Sequence, residues 1–190
     1  MTRIIAGIAR GRRLKVPKSG TRPTSDRVRE SIFSSLDHLL GSWEGLSVLD
    51  LYAGTGALAF EALSRGASQA VAVDNGAGAC ATIRENAAHT GLAVDVVRAD
   101  VGSWIDSRPD QQFDLVFLDP PYETETASVA TDLARLLSAG LLNDGAAVVV
   151  EYPSRSTVPN FPSGFGEVTD RRFGDTTVSR AIWYVSDNPN

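Results

Sequence analysis

The chain has 190 residues, 43% of them hydrophobic and 22% charged, with a net charge of −5. That is enough chain for one domain with a full core, and too apolar a chain for a disordered tail. One cysteine, Cys80, excludes an internal disulfide; with only two separated histidines, His38 and His89, it leaves no pattern for structural zinc, and no apolar run approaches a membrane span or a signal core. A cytoplasmic monomer without a metal is the expectation.

The charge is unevenly spread. Residues 1–30 carry nine basic side chains (Arg3, Arg10, Arg12, Arg13, Lys15, Lys18, Arg22, Arg27 and Arg29) against Asp26 and Glu30, so +7, which leaves −12 on the rest. A basic end on an acidic body points to a polyanionic partner met at that end. Arg3–Gly7 and Arg12–Pro17 are predicted to pair as a hairpin across Ala9–Gly11. Residues 1–20 therefore read as a basic hairpin arm and 21–190 as the main domain. Deleting residues 1–18 is expected to weaken polyanion binding and leave the main domain's own ligand binding intact. Pro23, Thr24 and Ser25 signal a helix start, and Val28, Ile32, Phe33, Leu36 and Leu40 recur at helical spacing before Gly41 and Gly45.

The stretch Val48–Ala59 follows: an apolar strand, Gly54 and Gly56, then a helix from Ala57. Glycines permit the φ of a tight turn and the close approach of a ligand, and a helix start offers unpaired N–H groups. Gly54-Thr55-Gly56-Ala57-Leu58-Ala59 fits G-x-G-x-x-A, and Asp74 ends the next apolar run, where a carboxylate can accept ribose hydroxyls. This geometry suits NAD and S-adenosylmethionine equally. The choice between them rests on Asp50 and on a later motif.

Beyond this point strand-like runs at 69–74, 94–99, 113–119 and 145–152 alternate with helical ones near 77–90, 101–107 and 125–138. The alternation implies an α/β fold with a mostly parallel sheet. Residues 153–166 break the rhythm with Pro153, Pro159, Pro162, Gly164 and Gly166, and runs at 167–173 and 178–185 flank Gly174-Asp175, a hairpin signal. An antiparallel end to a parallel sheet is the tail expected of an S-adenosylmethionine-dependent methyltransferase rather than of an NAD dehydrogenase. Ligands of such sheets bind at the carboxyl ends of the strands, where Asp50, Asp74, Asp100 and Asp119 all fall. Asp50 and the glycine turn suit a methionyl group, Asp74 the ribose, and Asp100 the adenine amino group.

Asp119-Pro120-Pro121-Tyr122 ends the fourth central strand. The double proline makes a stiff turn, on which the Asp119 carboxylate and the Pro120 carbonyl can converge as two acceptors for one –NH₂ group. Tyr122 offers a flat face for a base.

These motifs together resemble the class I amino-methyltransferases. Arg22–Glu30, with the basic hairpin before it, resembles more narrowly the RsmD family of bacterial 16S rRNA guanine-N2 methyltransferases. The resemblance implies a Rossmann-like domain with a seven-stranded sheet, a C-terminal antiparallel hairpin and an N-terminal β-hairpin. It implies transfer of a methyl group from S-adenosylmethionine to N2 of a guanine in a small-subunit rRNA loop. Asp119, Pro120 and Tyr122 would then do the chemistry. Asp50, Tyr52, Gly54, Gly56, Asp74, Asp100, Val101 and Thr24 would hold the cofactor. Arg3, Arg10, Arg12, Arg13, Lys15 and Arg22 would contact RNA. Other readings of the residues are methylation of another amino group, such as adenine N6 or a glutamine amide, and a non-catalytic RNA-binding assembly factor on the same fold.

Overall fold

The computed structural model describes residues 2–16, 25–107, 109–121 and 126–185. Thr24, Arg22 and Tyr122, all expected site residues, lie outside them. The chain forms two compact units, Met1–Val101 and Gly102–Asn190.

In the first unit, β1 (Thr2–Arg3) and β2 (Arg13–Leu14) pair antiparallel, with Thr2 opposite Leu14 and Arg3 opposite Arg13. The strands are much shorter than the expected hairpin arms, because the backbone between them bonds to a helix instead. Helix α1 (Asp26–Leu40) starts where Ser25 Oγ accepts from Val28 N and ends at Gly41. Its predicted stripe is buried at Val28, Ile32, Phe33 and Leu36, and Phe33 stacks on Trp43 with ring centroids 5.5 Å apart. Strands β3 (Ser47–Leu51), β4 (Gln69–Asp74) and β5 (Asp95–Arg98) run parallel, in registers from Ser47↔Gln69 and Val71↔Asp95. Helices α2 (Ala57–Arg65) and α3 (Ala77–Thr90) connect them, as the alternation predicts. Val48, Leu49 and Leu51 are fully buried, the pattern of a strand covered on both faces.

The second unit follows α4 (Val101–Asp106) with β6 (Phe113–Leu118), α5 (Thr126–Ser138), β7 (Leu142–Pro153), β8 (Thr169–Phe173) and β9 (Thr176–Ile182). β6 and β7 are parallel, β7 and β9 antiparallel, and β9 and β8 form the predicted hairpin with Phe173 opposite Thr176. β7 begins before residue 145. Its first residues bulge, Leu142 pairing with Phe113 and Ala147 with Leu115, and Asn143 Nδ2 donates to Asp114 Oδ1 in the offset (2.7 Å). The strand order is β5-β4-β3 in the first unit and β6-β7-β9-β8 in the second. These are the mostly parallel strands with an antiparallel end that the sequence predicts.

Candidate functional site

The turn after β3 is built by its own residues. Tyr52 has φ 61°, the only positive φ outside glycine among the described residues. A bulky side chain in that region costs about 1–3 kcal/mol and persists only where its surroundings hold it. They do so here through Ala53 N donating to Val73 O (3.1 Å) and Gly56 N donating to Ala53 O (2.7 Å). Gly56 caps α2 with φ 73°, and a Cβ there would stand 3.0 Å from Phe60 Cε2 and 3.2 Å from Ile83 Cγ2. Any side chain at residue 56 would strain the backbone and press on the core.

Two acids brace this turn. Asp50 is buried, and its Oδ2 accepts from Ala59 N in the first turn of α2 (3.1 Å), while Thr55 Oγ1 accepts from Ala57 N (3.2 Å). The helix start is thus less open than the sequence suggests, since two of its N–H groups are already taken. Asp50 lies beneath the turn as its cap, at the end of α2 where the helix dipole favours negative charge. Asp74 is half-buried at the end of β4. Its Oδ2 accepts from Gly54 N (2.8 Å) and its Oδ1 from Gly76 N (2.7 Å). Each carboxylate oxygen can accept more than one hydrogen, so Asp74 keeps capacity for a ribose hydroxyl while fastening two turns together. Gly76 is extended and caps α3, a defined conformation for the glycine-rich segment after Asp74. Cys80 Sγ donates to Asp74 O (3.4 Å), and burial with the nearby Asp74 charge pushes its thiol above the ordinary range. Asp100 is exposed just before α4, and the Val101 side chain is buried.

At the exit of β6, Asp119 is half-buried, Pro120 buried and Pro121 exposed. Among the described residues no cluster of His, Cys, Asp or Glu could hold a metal, and no helix is long and apolar enough to cross a membrane.

The arm departs most from expectation. Its turn is fastened to α2: Ile5 N and Ala6 N donate to the Glu61 carboxylate (2.7 and 3.0 Å), Ile8 N to Ser64 O (2.7 Å) and Ala9 N to Ser64 Oγ (3.0 Å). Gly7, at φ 81°, approaches so closely that a Cβ would stand 1.7 Å from Ser64 O. Arg12 Nη1 donates to His89 O and Thr90 O (3.2 and 2.6 Å), capping the carbonyl end of α3. Lys15 Nζ pairs with Glu85 (2.8 Å) and Arg3 lies 3.6 Å from Asp26. Arg10 and Arg13 are exposed and, among the described residues, their guanidinium groups have no hydrogen bond or ion pair. The basic ribbon is therefore of two kinds: Arg12 is committed to a helix end, while Arg10 and Arg13 face solvent.

Sequence reasoning missed the side chains that receive the arm. Glu61, Ser64 and Asn86 are buried, and so is Arg29, whose Nη2 donates to Arg3 O (2.6 Å) and Asp26 Oδ1 (2.8 Å). Burial pulls the Arg29 guanidinium below its usual range, against the charges of Asp26 and Glu61. Arg65 joins the cluster through Glu61 Oε1 (2.9 Å) and Asp37 Oδ2 (2.6 Å) and lies 5.0 Å over the Phe33 ring. One signal was available: Glu61 interrupts the apolar run of α2, and a charge on a buried face needs partners.

The chain matches, over residues 2–182, the family described as conserved hypothetical protein 95. It is similar to the ribosomal RNA small subunit methyltransferase D of Escherichia coli (strain K12), 34% identical over 165 residues, or 86% of this chain and 80% of that one. A solved hypothetical protein of Thermus thermophilus is 31% identical, with a TM-score of 0.81 over 97% of this chain and all of its own. The protein SMU.776, solved in complex with SAH, has the same fold with a TM-score of 0.62, at 18% identity over 82% of this chain and 48% of that one. The β3 turn, where the Asp74 carboxylate keeps room to accept a ribose hydroxyl, fits S-adenosylmethionine. The chain belongs to the conserved hypothetical protein 95 family, among whose relatives is the small-subunit rRNA methyltransferase D.

Proposed function

We propose that this protein transfers a methyl group from S-adenosylmethionine to the exocyclic N2 of a guanine in the 16S rRNA of the small ribosomal subunit. The observation that carries the reading is Asp119-Pro120-Pro121-Tyr122 at the exit of β6, in a chain related to an rRNA methyltransferase. When bound, S-adenosylmethionine supplies an electrophilic methyl group. Asp74 accepts the ribose hydroxyls, Asp50 keeps the turn in shape, and Tyr52, Gly54, Gly56, Asp100, Val101 and Thr24 complete the cofactor's surroundings.

The amino nitrogen of guanine is a poor nucleophile because its lone pair is delocalised into the ring. The Asp119 carboxylate and the Pro120 carbonyl accept its two hydrogens, which favours a pyramidal nitrogen and orients the lone pair. The rest is positioning, to which Tyr122 contributes by stacking on the splayed base. Arg10 and Arg13, with Arg3, Lys15 and Arg22, meet the phosphates.

The test is methyl transfer to small subunits from a strain lacking this protein, with the modified nucleotide mapped by mass spectrometry. Wild type is expected to label one guanine. Asp119→Ala should lose about 10²–10⁴-fold in rate with cofactor affinity kept. Label on adenine or on protein would refute the guanine assignment. Near-normal turnover by Asp119→Ala would refute its catalytic role.

A further inference from the structure

The arm and the cofactor turn share one side chain. Asn86, on α3, is fully buried. Its Oδ1 accepts from Lys15 N (2.8 Å), and its Nδ2 donates to Lys15 O (3.1 Å) and to Thr55 O (3.1 Å). Lys15 lies where the arm leaves β2, and Thr55 is the residue between Gly54 and Gly56. The amide orientation is fixed by its partners, because Lys15 N–H can only donate and the two carbonyls can only accept. One primary amide thus pairs with the Lys15 backbone as a neighbouring strand would, and spends its other hydrogen on the cofactor turn. Asp in this place would set a carboxylate against two carbonyls, and Ala would take this partner from three backbone groups, of which the Thr55 carbonyl is buried.

We propose that Asn86 is a positioning residue that couples arm docking to cofactor binding. When the arm lifts off α3, Lys15 withdraws and the amide loses two of its three bonds. The amide, no longer held in orientation by Lys15, then grips the Thr55 carbonyl less firmly, and the turn relaxes from the shape the cofactor fits. A cofactor that binds the clamped turn more tightly therefore also favours the docked arm, and the coupling is reciprocal. The arm would be set firmly in place only on cofactor-loaded enzyme. Its consequence for substrate order rests on the reading of the arm as an RNA contact: the loaded enzyme would bind the small subunit more tightly than the empty one.

Hydrogen exchange on the intact protein tests the coupling without RNA, with S-adenosylhomocysteine as the probe. In wild type, saturating probe should slow exchange both in the turn, residues 52–59, and at the Lys15 amide, the latter about five-fold or more. In Asn86→Ala the turn should still gain protection while the Lys15 amide does not. Protection confined to the turn in wild type would overturn the proposal. So would protection of the Lys15 amide persisting in Asn86→Ala, since the coupling would then run by another route. The wild-type comparison decides even if the variant fails to fold. Small-subunit affinity with and without the probe is measured separately, and tightening of about five-fold or more is expected. Coupled exchange with no tightening would mean that the arm is coupled as proposed but is not the RNA contact.

Discussion

The N-terminal arm and the β3 turn belong to the same unit, and both are bends that place functional groups, yet they are held in opposite ways. The turn is determined locally: glycine at 54 and 56, Thr55 on the Ala57 amide, Asp50 beneath and Asp74 one strand away. The arm is determined remotely. Its own hydrogen bonds are a short ladder, and its fastening comes from Glu61, Ser64 and Asn86, dozens of residues later in the chain. A motif can therefore specify the turn, while the arm takes its shape only once α2 and α3 are in place.

The sharpest way to break this contrast is to remove the arm's main receptor. Glu61→Ala leaves the Ile5 and Ala6 amides without their acceptor, takes from Arg65 one of its two carboxylate partners and removes one of the two negative charges beside the buried Arg29. The expected cost is about 3–5 kcal/mol, or roughly a 10 °C fall in melting temperature. An unchanged melting temperature would show that the arm folds by itself. Deleting residues 1–18 should likewise lower the melting temperature, contrary to what a free-standing arm would do, because it strips partners from Glu61, Ser64 and Asn86.

Gly56→Ala attacks the turn from within. A left-handed alanine 3.0 Å from Phe60 should cost about 1–3 kcal/mol in urea unfolding and weaken cofactor binding as well. If stability and affinity both hold, the turn is less demanding than its backbone angles imply. Asp74→Ala should weaken S-adenosylmethionine by about 1–3 kcal/mol in calorimetric titration. Undiminished affinity would leave Asp74 only as a brace between the two turns it bonds.

The smallest effects separate the two kinds of arginine. Arg10→Ala and Arg13→Ala should each reduce the salt slope of RNA binding by roughly 0.7, with the melting temperature unchanged. Arg12→Ala should do the reverse, holding the slope and losing about 1 kcal/mol of stability as the end of α3 loses its cap. Identical behaviour of the three would mean that the ribbon is one uniform basic face.

Much of this is legible in the sequence alone. The order and type of the central elements followed from apolar runs, helical spacing and glycine signals, because those patterns reflect local backbone preference and burial on one or both faces. The β9–β8 hairpin followed from Gly174-Asp175, whose two residues form its loop. The Gly54 to Gly56 turn, Asp74 at its strand end and the stiff exit at Asp119-Pro120 were legible for the same reason: each is a short segment whose chemistry is contained in its own residues.

Only the tertiary structure decided which polar groups meet across long separations. Nothing local to Arg12 says that it caps α3, and nothing local to Glu61 or Asn86 says that each receives backbone from the first fifteen residues. Composition counted Arg29 with the basic arm, but folding buried it under β1. Asp50 reads as a ligand contact, and the fold adds a bond from its Oδ2 to the Ala59 amide of α2 that no local signal announces, because that helix must first be placed over the strand end. Charge and hydropathy record what a side chain is. Its partner is settled by packing, where a buried polar group must be bonded or its desolvation destabilises the fold.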